Sequence, residues 1–217
     1  MTDCIFCDEI HAGPNANFAS RYPELESRIL WSDGRLFAMP CIGQLQPGHF
    51  MIIPVDHHAT LRDAGMALGT LDDCIAAGIE HVRSALGLDD SELLVFEHGA
   101  RDPRDGGCGI YHAHLHVVPV ARNFDIPALF GLDMPHAASC FETLFETIDQ
   151  STSYALGGIW GGGYRYQPLS VPLPSQYMRR RLAEALGREQ WDWRKSWREP
   201  AILAAVSSIQ TFRPDSR

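Results

Sequence analysis

Histidine stands at every second position of Tyr111-His112-Ala113-His114-Leu115-His116-Val117-Val118. Imidazole titrates near neutral pH and carries two nitrogens, one able to attack or accept while the other donates. Three imidazoles in a row carry little packing value, because each brings polar atoms that need partners when buried. The plain reading is a wet strand face that happens to hold histidines. Two chemistries compete with it. A neutral imidazole can attack an electrophilic phosphorus while its second nitrogen is held by an acceptor. Alternatively, the three can bind a catalytic metal and leave a position open for water. The spacing alone does not choose between these two.

Such a row must be positioned by regular structure. The strict alternation and the β-branched end predict a strand, with His112, His114 and His116 on one face, neighbours roughly 7 Å apart. Tyr111, Ala113, Leu115 and Val117 then point the other way, into a core. Arg28–Trp31 and Arg35–Met39 flank Asp33-Gly34, a strong two-residue hairpin turn. His49–Pro54 reads as a third strand and Glu92–Phe96 as a fourth. Between them, Leu68, Leu71, Ile75, Ile79, Val82 and Leu86 recur at helical spacing, with Gly87 as the stop. His98 to Gly109 is a Gly-rich loop. This order predicts an α+β fold, an antiparallel sheet with a helix against one face.

The remainder is less regular. Residues 13–26 read as an irregular loop and 137–149 as a helix. Gly157-Gly158 and Gly161-Gly162-Gly163 suggest a flexible loop. Ser175 is placed to cap a helix that runs through Arg179-Arg180-Arg181 to Leu186 and ends at Gly187. A last helix is expected over 199–209.

Composition bounds the function. The 217 residues, 45% hydrophobic and 21% charged, fit one soluble globular domain or one domain with an appendage. A net charge of −9 argues against a general nucleic-acid binder, which needs a basic field. No apolar run approaches the roughly 20 residues of a membrane span. The chain start shows neither a basic segment nor an apolar core, so no secretory signal is expected, and a reduced cytoplasm fits the six cysteines at 4, 7, 41, 74, 108 and 140. Cys4-Ile5-Phe6-Cys7 is then a metal or redox pair. No strand precedes it, which favours zinc over thioredoxin-like chemistry.

With these residues in view, His112-Ala113-His114-Leu115-His116-Val117-Val118 resembles the H-φ-H-φ-H-φ-φ signature of the histidine triad (HIT) family of nucleotide hydrolases and transferases. Three further stretches match in register: Cys4-Ile5-Phe6-Cys7-Asp8-Glu9-Ile10, Pro47-Gly48-His49-Phe50-Met51-Ile52-Ile53-Pro54 with His57 after it, and Gly106-Gly107 before the triad. The resemblance spans roughly residues 3–122. It implies a HIT-like five-stranded antiparallel sheet with helices packed on it, often in a homodimer. It also implies cleavage of phosphoanhydride or phosphoramidate bonds of small nucleotides. By position, His114 is the nucleophile that forms a nucleotidyl-histidine, His116 touches the phosphate or leaving group, and His49 lines the same site. Gly107, Cys108, Gly109 and His116 fall at the substrate. The cysteine pair resembles the zinc-containing bacterial branch, whose structural metal would fall on Cys4, Cys7, His57 and His112, with His58 a neighbouring alternative to His57. A closed Cys₂His₂ set leaves no open position for substrate. Residues 1–122 would be the catalytic domain and 123–217 a C-terminal extension packed on it.

Departures from the family pattern bear on the substrate. Cys41 stands where nucleoside-binding members carry an Asp for the ribose hydroxyls, eight residues before His49. Glu97-His98-Gly99 replaces an Asn-containing stretch, and Cys108-Gly109 replaces a Gln-Ser pair. Phosphorus chemistry is thus better supported than nucleoside recognition. Backbone amides at Cys108 and Gly109 could still cradle phosphate, while the Cys108 side chain reads as a small packing residue. Arg179-Arg180-Arg181 is either a solvated helix face or a group reaching back to substrate phosphates, to which Arg is suited. Trp191-Asp192-Trp193 with Trp197 reads as a dock for the tail, and His11, His81 and His136 as incidental. Two rivals remain open: a metal-dependent phosphoesterase using the triad as ligands, and a catalytically silent nucleotide-binding protein.

Overall fold

The structure, a computed structural model, describes residues 4–11, 21–23, 25, 27–101, 103–121, 123–196 and 200–212, leaving aside the side chains of 66–68. The stretch 13–26 falls mostly outside these, as does Trp197. Eight strands are described: β1 (Trp31–Ser32), β2 (Leu36–Pro40), β3 (Phe50–Pro54), β4 (Glu92–Gly99), β5 (Leu115–Val120), β6 (His136–Ala138), β7 (Tyr154–Ile159) and β8 (Gly163–Pro168). They form one sheet in the order β1-β2-β3-β5-β4-β7-β8-β6, antiparallel throughout. The class is α+β as expected, but the five-stranded sheet is corrected to eight.

The extra strands come from a segment read as loop and helix. Gly157 and Gly158 lie in β7 because the packing there needs no side chain. A Cβ on Gly157 would meet the Phe130 ring at 2.8 Å, and one on Gly158 would meet the Gly163 carbonyl oxygen at 2.5 Å. Residues 137–149 divide into β6 and a short helix, Phe141–Glu146. Helices Leu71–Ala85, Tyr177–Ala185 and Pro200–Thr211 match the expectation within a few residues. Gln176, in the left-handed region, precedes the second of these in place of Ser175. Leu61–Leu68 is a further helix, capped by Thr60 accepting from the Asp63 amide, a signal the sequence carried in Thr60-x-x-Asp63.

Period-two alternation gives the sheet two apolar faces. Ile52, Val95, Leu115 and Val117 pack with Ile75, Ile79 and Val82 of the long helix. On the other face, Phe37, Met39, Met51 and Ile53 meet Phe6, while Phe96, Val118 and Val120 meet Phe130, Met178 and Leu182. Each fully buried side chain of this size contributes about 1.5–3 kcal/mol. The N-terminal helix Ile5–Ile10 and the C-terminal helix Tyr177–Ala185 thus cover the same face. The histidines lie beneath them.

Candidate active site and candidate metal site

The ladder of β5 begins only at Leu115, so His116 sits on the strand while His112 and His114 lie on its approach. Their shared face survives, because Ala113 still packs with Leu115 and Val117 on the opposite side. The Ala113 amide donates to the His58 carbonyl at 2.7 Å, and Tyr111 donates its hydroxyl to the Gly106 carbonyl. These bonds hold the approach extended without a neighbouring strand.

Hydrogen bonds fix the tautomers. His112 donates Nε2–H to the Pro54 carbonyl at 2.8 Å, which leaves Nδ1 bare. That nitrogen lies 3.4 Å from Cys4 Sγ and 3.6 Å from Cys7 Sγ, and His57 Nδ1 lies 3.4 Å from Cys7 Sγ. Ligand atoms of Cys4, Cys7, His57 and His112 all fall within 4.8 Å of one another, a group able to hold a metal. Burial pushes the His112 imidazole down to about 4, so it stays neutral, the form a metal ligand needs. His58 contributes its backbone to this region but does not join the cluster.

His114 is turned the opposite way. It donates Nδ1–H to the His112 carbonyl at 2.7 Å, leaving a lone pair on Nε2, 3.6 Å from Cys108 Sγ. Burial pushes this imidazole down, but Cys108, the His112 carbonyl and the buried Glu97 carboxyl outweigh that and hold it above its ordinary value. His49 accepts from the Leu45 amide on Nδ1 at 3.2 Å, so its Nε2–H points to His116 Nδ1, 3.0 Å away. His116 is then left with an N–H at Nε2. Burial keeps both rings neutral, well below their ordinary pKa. The Phe96 ring stacks on His116 with centroids 4.5 Å apart.

His114 and His116 open into a narrow apolar cleft with Phe6, Met51, Cys108 and Ile110 on its walls. The loop before it needs its glycines, since Gly106, Gly107 and Gly109 all have φ between 86° and 91°. Gly106 bridges to Leu173, the Gln176 amide donates to the Gly107 carbonyl, and Arg194 donates to the Cys108 carbonyl. The C-terminal third therefore builds one wall of the cleft.

Two groups on this face, and a third on the opposite face, are only partly legible in the sequence. Arg179 is 2% exposed and lines the cleft beside His114 and His116, whereas Arg180 and Arg181 pair with Glu184 at the surface. The triplet is thus divided, with Arg179 buried at the cleft and Arg180 and Arg181 on a solvated helix face. His98 also borders the cleft; its buried Nε2 has no hydrogen-bond partner among the described residues, and burial pushes it down to about 4. Glu97, on the other face, accepts from Tyr154 Oη at 2.5 Å and from the Leu61 amide at 2.8 Å. Trp191 packs on the helix Tyr177–Ala185 cluster and Trp193 lines the cleft. His11 is exposed, His81 touches Phe212, and His136 stacks on Tyr166. A second group of possible ligand atoms, Cys41, His49 and His116, lies beside the cleft.

No family model matches the sequence. Solved structures with similarity to the chain include a HIT family hydrolase from Clostridium thermocellum, 23% identical over 58% of this chain and 98% of that chain, TM-score 0.43. A histidine triad protein from Clostridium difficile is 19% identical over 58% and 96%, TM-score 0.42. A HIT family hydrolase from Legionella pneumophila is 23% identical over 58% and 98%, TM-score 0.38. Among the described residues, no helix is long and apolar enough to cross a membrane.

Proposed function

We propose that the chain is a HIT-type hydrolase or nucleotidyl transferase that opens phosphoanhydride or phosphoramidate bonds of small nucleotides. One observation carries the reading: His114 is held by the His112 carbonyl with its bare Nε2 turned toward the cleft. An imidazole fixed in that tautomer is a nucleophile aimed at whatever enters. Attack on the α-phosphorus forms a P–N bond as the bond to the leaving group breaks. Water then cleaves the P–N bond and restores His114. His116 offers its Nε2–H to a phosphate oxygen or to the leaving group, and His49 sets that tautomer. The amides of Gly107, Cys108 and Gly109 supply further donors toward phosphate.

Cys4, Cys7, His57 and His112 fit a structural zinc. A tetrahedral ion with about 2.3 Å to sulfur and about 2.0–2.1 Å to nitrogen sets its ligand atoms about 3.6 Å apart, and the S···N separations here are 3.4–3.6 Å. Its bond from His112 Nε2–H to a carbonyl is the usual outer support of a histidine ligand. Such an ion staples the N-terminal helix to the triad approach. The triad as a single catalytic metal site is disfavoured, because among the described residues its three ligand nitrogens are not gathered together. A silent binding protein would have no need of the poised Nε2. We keep 1–122 as the catalytic part and 123–217 as an extension that completes it.

Intact-mass spectrometry after brief mixing with dinucleotides and nucleoside phosphoramidates tests the reading. An adduct of nucleotidyl mass is expected on the wild type and absent from His114→Ala. An adduct on both proteins, or turnover without His114, overturns it.

A further inference from the structure

Two arginines line the cleft, and only one is neutralised. Arg28 is 3% exposed and bonds Glu9 Oε1 at 2.7 Å. Arg179 is equally buried, yet its partners are the Trp191 carbonyl on Nε at 3.2 Å, Cys41 Sγ on Nη1 at 3.1 Å and the Gly43 carbonyl on Nη2. Among the described residues no carboxylate reaches it. An isolated buried charge is unfavourable, and most groups escape by losing the charge. Guanidinium cannot, because its pKa lies above 12. Three of its five N–H donors are taken, and the side chain lines the cleft together with His114 and His116. A carboxylate at position 41 would neutralise Arg179 directly; a thiol does not. The same guanidinium, 3.1 Å from Cys41 Sγ, works against a cation among Cys41, His49 and His116.

We infer that Arg179 is a substrate-binding and specificity residue that holds the departing phosphate, so that the site selects phosphoanhydrides over phosphoramidates. The inference rests on the proposed attack by His114. As His114 Nε2 bonds to the α-phosphorus, the bridging P–O bond breaks and its electron pair stays on the bridging oxygen. The leaving phosphate therefore gains negative charge, which Arg179 stabilises. A phosphoramidate instead releases an amine, which takes up a proton and offers a buried cation nothing. Charge complementarity at this one group separates the two classes.

Inorganic pyrophosphate is the direct probe, titrated calorimetrically into the full chain. One-to-one binding is expected for the wild type, weakened at least tenfold in Arg179→Gln and several-fold in Arg179→Lys. Absence of binding by the wild type, or equal affinity in the variants, overturns the inference. Should Arg179→Gln not fold, Arg179→Lys carries the same comparison, since it keeps the charge and loses the fork. A turnover arm pairs an adenosine dinucleotide anhydride with an adenosine phosphoramidate. The wild type should favour the anhydride at least tenfold in kcat/KM, and Arg179→Lys should narrow that ratio; an unchanged ratio counts against the inference. Failure of the His114 chemistry would appear separately, as the lack of any nucleotidyl adduct, while pyrophosphate binding continues to report on Arg179.

Discussion

His49 Nε2 and His116 Nδ1 lie 3.0 Å apart, both rings buried in the sheet. Only one proton fits between two nitrogens at that distance. The Leu45 amide settles which ring supplies it, since it already occupies His49 Nδ1. A loop amide thereby sets, through two imidazoles, the hydrogen that His116 shows the cleft.

Removal of His49 should therefore reach beyond packing. His49→Ala leaves the Leu45 amide and His116 Nδ1 without partners, each worth roughly 1–3 kcal/mol when buried. Thermal unfolding should fall by several degrees. Nitrogen-15 NMR should show His116 losing its fixed Nε2–H tautomer. An unchanged His116 spectrum would contradict the relay.

The two halves of the triad should separate by mutation. Cys4→Ser or Cys7→Ser should lose bound zinc and lower stability, whereas His114→Ala should keep one zinc per chain and lose turnover. Elemental analysis of the purified variants reads both. Zinc loss with His114→Ala alone would join the histidines into a single metal site.

Glu97 sets a pH dependence of stability. Burial raises its carboxyl from 4.5 to about 7, against the bonds from Tyr154 and the Leu61 amide. Between those values the folded chain keeps a proton that the unfolded chain has released. Its stabilising contribution is full below the lower value and is lost as pH rises through about 7, a total of about 3 kcal/mol. Glu97→Gln should match the wild type near pH 4 and exceed it at pH 8. Denaturant unfolding at the two pH values measures this, and parallel curves would refute it.

Two glycines with the same backbone sign should respond differently to alanine. Gly34 has φ 85° with nothing near its missing Cβ, while Gly106 has φ 87° and a Cβ there would meet the Leu173 carbonyl oxygen at 2.1 Å. Gly34→Ala should lose about 1 kcal/mol from left-handed strain alone. Gly106→Ala should lose ~1–3 kcal/mol more and free the loop from the C-terminal wall. Paired unfolding curves check the difference.

The histidine face, the Asp33-Gly34 turn and the long helix were legible because each follows from local periodicity. Asp33 indeed accepts from the Arg35 and Leu36 amides. The start of β5 was not legible: a bond from the Ala113 amide to His58, far away in sequence, holds the approach together with the local bond from Tyr111 to Gly106. Glycines 157 and 158 read as flexible, since only the tertiary fold supplies the Phe130 ring and Tyr164 that fill their faces. Arg179 looked like its two neighbours until the helix was set against Cys41. Among the candidate site residues, Cys4, Cys7, His57 and His112 form one group, and His49, His114, His116 and Cys108 gather at the other.

Strand β4 is paired along both sides within the chain, to β5 through Glu92–Phe96 and to β7 through Leu94–Gly99. The sheet consequently ends in β1 and β6, stubs of two and three residues. Short borders of this kind offer few unpaired amides and carbonyls for strand addition. Val171 is the exposed large apolar side chain among the described residues. Among the described residues the ladder therefore gives little for a second copy to extend, and side chains make up most of what its borders present.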